Sequence, residues 1–74
     1  MIKTVVHVEG MMCHNCEKHV NEAVKKNFKV KSVESSFERQ ETVILSKAAL
    51  DPDALKTVIG EEGYQPGEVE VSED

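Results

Sequence analysis

Ile2-Lys3-Thr4-Val5-Val6-His7-Val8-Glu9-Gly10-Met11-Met12-Cys13-His14-Asn15-Cys16 is the stretch on which the reading of this chain turns. Residues 2–8 are rich in β-branched side chains and largely alternate, which predicts a strand, and Gly10 ends it. From Asn15 to about Phe28 the apolar positions are Cys16, Val20, Ala23, Val24 and Phe28. That spacing is the stripe of an amphipathic helix. Both cysteines therefore sit where the chain leaves a strand and enters a helix.

Working outward, residues 30–38 read as a strand carrying Val30, Val33 and Phe37. Arg39-Gln40-Glu41 makes a polar turn into Thr42-Val43-Ile44-Leu45, the second strand of a hairpin. Asp51-Pro52 predicts a helix start, with Asp as N-cap and Pro at the first helical position. Leu55, Val58 and Ile59 supply that helix's inner face, and Gly63 is placed to stop it. Glu68-Val69-Glu70-Val71 alternates as a short last strand. The order βαββαβ is that of the α+β ferredoxin-like unit. It predicts an open-faced sandwich, a four-stranded antiparallel sheet with two helices on one face.

With 74 residues, the chain is expected to form a single domain spanning 1–74, with 72–74 as a disordered tail. A chain this short buries only ~60% of its unfolded surface, which excludes a large enzyme core. Two cysteines cannot make the multi-bridge framework of small secreted folds. Fourteen acidic against nine basic side chains give −5, which argues against a nucleic-acid module. No run of ~18 apolar residues is present to span a membrane, and no signal peptide is visible. The expected compartment is the cytoplasm, where thiols stay reduced.

Charge is uneven. Residues 61–74 carry −6 and the rest +1. Lys18, Lys25, Lys26, Lys29 and Lys31 face only Glu22 across residues 18–31, which predicts a basic helix leading away from the cysteine loop.

A two-residue gap lets the sulfurs of Cys13 and Cys16 converge, because the chain turns from loop into helix there. Cys16 falls near the helix's first turn, where unpaired N–H groups and the dipole favour thiolate over thiol. Two thiolates form a soft, doubly negative clamp. Soft donors in low coordination number suit Cu(I), whereas Zn(II) takes four ligands arranged tetrahedrally. Three other readings compete. A structural zinc half-site lacks a second cysteine pair or a downstream histidine pair. A thioredoxin-type dithiol lacks the fold length and any tryptophan. Two inert core cysteines sit poorly in a Gly-led loop flanked by His14 and Asn15.

Gly10-Met11-x-Cys13-x-x-Cys16 after a first strand resembles the heavy-metal-associated domain family, specifically its bacterial-type cytosolic copper chaperones. Val20, Ala23-Val24 and Gly63-Tyr64 also resemble the family's pattern, so the likeness covers nearly the whole chain. The resemblance implies a non-catalytic protein that binds Cu(I) through Cys13 and Cys16 and passes it on by ligand exchange. It implies Met11 packed beneath the loop as a non-ligand, and Tyr64 close to the loop, shielding it without binding. An ordinary sheet-edge tyrosine is the other reading of Tyr64. Receivers in the family are soluble metal-binding domains of heavy-metal P-type ATPases and, in some bacteria, a copper-responsive repressor. Acidic receiver faces would be steered by the lysine helix; the other reading of those lysines is the solvated face of an amphipathic helix. The alternatives are a small dithiol-disulfide oxidoreductase, or a domain cut from such an ATPase. The initial Met and the charged ending Ser72-Glu73-Asp74 fit a free-standing protein.

Two departures from the family pattern stand out. Met12 replaces a small hydroxyl residue before the first cysteine, placing a second thioether beside the site as a weak third donor or as an exposed group. Ser35 stands where an apolar residue is usual and leaves the hairpin packing open. His14 is either an accessory ligand or a solvent-exposed imidazole. His7 and His19 are expected at the surface. Ag(I), Zn(II), Cd(II) and Hg(II) are expected to bind the same thiolates in vitro. The expected state is a monomer, or a dimer bridged by copper.

Overall fold

A computed structural model describes residues 1–73. The first strand, β1 (Ile2–Glu9), alternates as its sequence requires: Thr4, Val6 and Val8 are buried, while Lys3, Val5 and His7 lie half-buried on the other face. It is followed by α1 (His14–Asn27), β2 (Ser32–Ser36), β3 (Glu41–Ser46), α2 (Pro52–Glu61) and β4 (Gln65–Glu73). The sheet order is β2-β3-β1-β4, with every neighbouring pair antiparallel. Only β2 and β3 are joined by a hairpin; α1 and α2 each carry the chain across one intervening strand. This is the ferredoxin-like arrangement, with both helices on the face where Thr4, Val6 and Val8 are buried.

One core lies between sheet and helices. Val6, Val8, Val33 and Ile44 from the strands meet Val20 and Val24 of α1, and Leu55 and Ile59 of α2. Each of the larger aliphatic side chains contributes about 1.5–3 kcal/mol by leaving water. The α2 start is well made: the Asp51 carboxylate accepts the Asp53 N–H at 3.0 Å, and Pro52 occupies the first turn, where its missing N–H is not needed. At its other end Gly63 adopts φ +93°, a conformation that glycine takes readily. That turn brings Tyr64 back towards the end of β1.

Several boundaries differ from the sequence expectation. The strand expected over 30–38 is only Ser32–Ser36, although Val30 and Phe37 still pack against the core. The last strand, expected at 68–71, runs from Gln65 to Glu73. Ser72 and Glu73, expected in a disordered tail, instead pair with Lys3 and Ile2. The reason is the exposed N–H and C=O row of β1, which β4 satisfies over almost its whole length. Asp74, the last residue of that expected tail, lies outside the described residues. Ser35 is hydrogen-bonded on both sides. Its hydroxyl donates to Asn21 Oδ1 at 2.6 Å and lies 2.9 Å from the hydroxyl of buried Thr42, so a small polar network fills the place of an apolar contact.

The lysine helix is also corrected. α1 ends at Asn27, so Lys29 and Lys31 have left it. They line a surface cleft with Val30 and Lys47. Lys31 N–H bonds the Leu45 carbonyl at 2.7 Å, and Ser46 is paired with Ile2, which puts this basic group at the far end of β1 from Gly10. Eight residues of strand separate those ends by ~23 Å. Of the five lysines, only Lys18 lies in the half of α1 nearer the cysteines. Among the described residues, no helix is long and apolar enough to cross a membrane.

Candidate metal centre

Gly10 closes β1 at φ +102°, in the region that favours glycine. A side chain at Gly10 would also touch the Tyr64 ring, 3.6 Å from the Cβ position. The next two residues part company. Met11 is 2% exposed and joins the core, whereas Met12 is 83% exposed. One thioether anchors the loop from below and the other stands in solvent beside Cys13.

Cys13 is the N-cap residue of α1, with extended backbone (φ −160°, ψ 171°) and no side-chain cap bond. Its carbonyl accepts the N–H groups of Cys16 and Glu17, at 3.1 and 3.3 Å. This turn folds the two-residue gap so that the sulfurs lie 3.3 Å apart. Both cysteines are free, Cys13 exposed and Cys16 half-buried. A disulfide would need ~2.05 Å. With metal–sulfur bonds of ~2.3 Å, the sulfurs would span ~3.8 Å around a tetrahedral ion and ~4.6 Å around a linear one. The pair is thus convergent and must open slightly to seat an ion, for which the exposed Cys13 side chain has the room.

The surroundings favour thiolate. The backbone amide at Met12, the Tyr64 hydroxyl and the Cys13 side chain together lower the Cys16 thiol from 9.0 to about 7. Tyr64 is held neutral by the same contact. Hydrogen bonding to Cys16, followed by partial burial, pushes its hydroxyl from 10.0 up to about 12. Tyr64 therefore sits beside the loop with its hydroxyl neutral.

His14 turns elsewhere. Its Nδ1 lies 3.0 Å from Glu17 Oε1, and its ring meets Phe37 edge-on with centroids 5.0 Å apart. The histidine, followed by the Phe37 N–H, holds the Glu17 carboxyl below the usual carboxylate range. His19 is exposed on α1. His7 is half-buried on the open sheet face, where its ring nitrogen and the carboxylates of Glu68 and Glu70 lie within 4.8 Å of one another. Those donors are hard or borderline and share nothing with the sulfur pair.

Two residues that shape the loop were not singled out in the sequence. Gln40 accepts the Gly10 N–H at 3.0 Å and donates to the Met11 carbonyl at 2.7 Å. Glu17 accepts the Phe37 N–H at 2.8 Å. Neither had a signal, since one reads as a polar turn residue and the other as an exposed helix acid.

The exposed cysteine pair stands at the β1–α1 junction of a βαββαβ fold. The chain belongs to the heavy-metal-associated domain family, whose model matches residues 5–65. Among curated proteins it is 39% identical over 70 residues to a mercuric reductase of Lysinibacillus sphaericus, covering 95% of this chain. The chain spans only 13% of that relative's length. Two similar solved structures are the metallochaperone CopZ and the yeast copper transporter domain Ccc2a, the latter solved in apo and Cu(I)-loaded states. CopZ is 23% identical with a TM-score of 0.78, covering 88% of this chain and 98% of its own. Ccc2a is 20% identical with a TM-score of 0.79, covering 100% and 99%. At those identities the structures confirm the fold.

Proposed function

We propose that Cys13 and Cys16 capture one Cu(I) ion and hand it to a receiver by thiolate exchange. The observation that carries this reading is the pair of free sulfurs 3.3 Å apart at the exposed start of α1. With Cys16 ionising at about 7, one of the two sulfurs is already partly thiolate near neutral pH and can take the incoming cation. A receiver thiolate attacks the bound ion, a three-coordinate state forms, and one cysteine of this chain leaves before the second does. Exposed Cys13 is the first to leave, and half-buried Cys16 keeps hold until the receiver has two sulfurs on the ion. Tight binding and fast transfer are then compatible, because the ion is never released to water.

The receiver that fits is a soluble metal-binding domain of a heavy-metal P-type ATPase, with a copper-responsive repressor as a second. The setting is a compartment where thiols stay reduced, and the protein is a carrier and not a catalyst. Hg(II) is a second reading of the cargo, favoured by the 39% identity to a mercuric reductase. Both ions are soft and accept two thiolates.

Chelator competition and native mass spectrometry test the capture. One Cu(I) per monomer, lost in a Cys13→Ser, Cys16→Ser chain, is expected; one Cu(I) per two chains would replace the monomer with a copper-bridged dimer. Transfer then separates the cargoes. The copper reading expects Cu(I) to reach an ATPase metal-binding domain faster from this chain than from its glutathione complex. Acceleration confined to Hg(II) delivery to a mercuric reductase would favour the second reading. Loose metal binding together with ready disulfide exchange on a protein substrate would overturn both in favour of a dithiol oxidoreductase.

A further inference from the structure

The hairpin turn between β2 and β3 is bonded to the cysteine loop on both sides. Gln40 lies at φ +56°, a left-handed conformation that few residues other than glycine adopt. There its backbone carbonyl accepts the Val8 N–H at 2.8 Å, which fixes the turn to the end of β1. Its side chain then reaches across the start of the loop. Oε1 accepts the Gly10 N–H at 3.0 Å, while Nε2 donates to the Met11 carbonyl at 2.7 Å and to the Phe37 carbonyl. Both amide protons and the amide oxygen are used, one on each polar group that faces them. On the other side, Glu17 ties the Phe37 N–H to α1 just after Cys16. Cys13 and Cys16 thus lie between two ties to a single turn.

We propose that Gln40 is a positioning residue for the metal loop, acting through Gly10 and Met11 to fix the backbone that carries Cys13 and so to set how tightly the dithiol holds its ion. The inference rests on reading Cys13 and Cys16 as the ion's ligands. It follows from what the amide alone can do. Glutamate has the same shape, but as a carboxylate it only accepts, and would face the Met11 and Phe37 carbonyls with no proton to offer. Asparagine tolerates the left-handed backbone but is one methylene too short to make the same contacts. Glycine keeps the turn conformation and removes the amide altogether. Partners that orient metal ligands from outside the coordination shell alter affinity by about 10- to 100-fold when removed.

The test uses the full chain with Gln40→Gly and Gln40→Asn, and Asp51→Ala as a control that weakens the other helix start. Three quantities are read: amide exchange of Gly10 in the metal-free protein, Cu(I) and Hg(II) affinity by chelator competition, and Tm. Gln40→Gly should speed Gly10 exchange and lower affinity by about tenfold or more. Asp51→Ala should lower Tm with affinity unchanged, so a loss of affinity that merely followed stability would show in both variants. The proposal is overturned if affinity in folded Gln40→Gly stays within about twofold of the parent, even where exchange quickens, since ligand positioning predicts about tenfold. Should Gln40→Gly fail to fold, Gln40→Asn decides by the same two limits. A parent chain that binds neither ion would sink the metal reading itself, and a Gly10 exchange rate unmoved by either variant would separately remove the hold of Gln40 on the loop.

Discussion

The two helices of this protein begin in opposite ways. α2 starts with Asp51, whose carboxylate bonds the Asp53 N–H, followed by Pro52. α1 starts with Cys13, which occupies the same capping position and makes no side-chain cap bond. A carboxylate that caps α2 and a sulfur that does not cap α1 make the difference. A sulfur is a weak acceptor, so the N–H groups at the start of α1 go without a good side-chain partner. The Met12 amide just ahead of that start, followed by the Tyr64 hydroxyl and the Cys13 side chain, is what draws Cys16 towards the thiolate form. One helix start is capped by a side chain, and the other is left uncapped beside two free sulfurs.

The largest effect that would break this comparison is on binding. Replacing both Cys13 and Cys16 with serine should abolish stoichiometric Cu(I) binding in a chelator competition, while far-ultraviolet circular dichroism stays that of the parent. Retained one-to-one binding would mean that the open start is not the site.

Next in size is the capped start. Asp51→Ala should cost about 1 kcal/mol and lower Tm by roughly 4–8 °C, read by calorimetry, with metal affinity unchanged. A smaller effect of opposite sign is expected at the other start. Cys13→Ser alone gives α1 a hydroxyl cap and should raise the stability of the metal-free chain by roughly 0.5 kcal/mol. An unchanged or lower Tm there would show that sulfur already serves the helix at least as well as oxygen does.

The smallest effect is in the pH profile. Alkylation of Cys16 by iodoacetamide in the metal-free protein should rise through a midpoint of about 7 instead of 9.0. Tyr64→Phe removes one of the groups that lower it and should move that midpoint upward. The same shift enters stability. A thiol that ionises at about 7 when folded and near 9.0 when unfolded adds stability that builds between those two values, persists above, and is absent below. Tyr64, raised from 10.0 to about 12, bounds the same window from above: the contact it shares with Cys16 is lost as pH climbs from 10 towards 12.

Much of the fold was legible because periodicity reports burial. Val6 and Val8 alternate with half-buried neighbours, and Val20, Ala23 and Val24 recur at helical spacing, so β1 and α1 follow from the residues themselves. Asp51-Pro52 and Gly63 marked α2 by turn chemistry. Gln65-Pro66-Gly67 and Ser72-Glu73 carry no strand signal, and they are strand because β1 offers them a ladder. The lysines were misplaced because the charge run was read onto the helix as a whole, although the apolar stripe already stops at about Phe28; Lys29 and Lys31 lie beyond Asn27.

The sequence by itself determined the ordered series of strands and helices, the core faces and the position of two soft donors at the junction of β1 and α1. Local patterns suffice for these, since side-chain type and spacing are properties of a single segment. Only the tertiary structure decided what surrounds those donors. Tyr64 reaches Gly10 because Gly63 turns the chain back, and His14 is drawn to Glu17 and Phe37 instead of facing the sulfurs alone. Gln40, thirty residues from Gly10, meets the loop because β3 pairs with β1 and delivers the hairpin turn to that end of the sheet. Contacts of that range depend on topology, which no single segment contains.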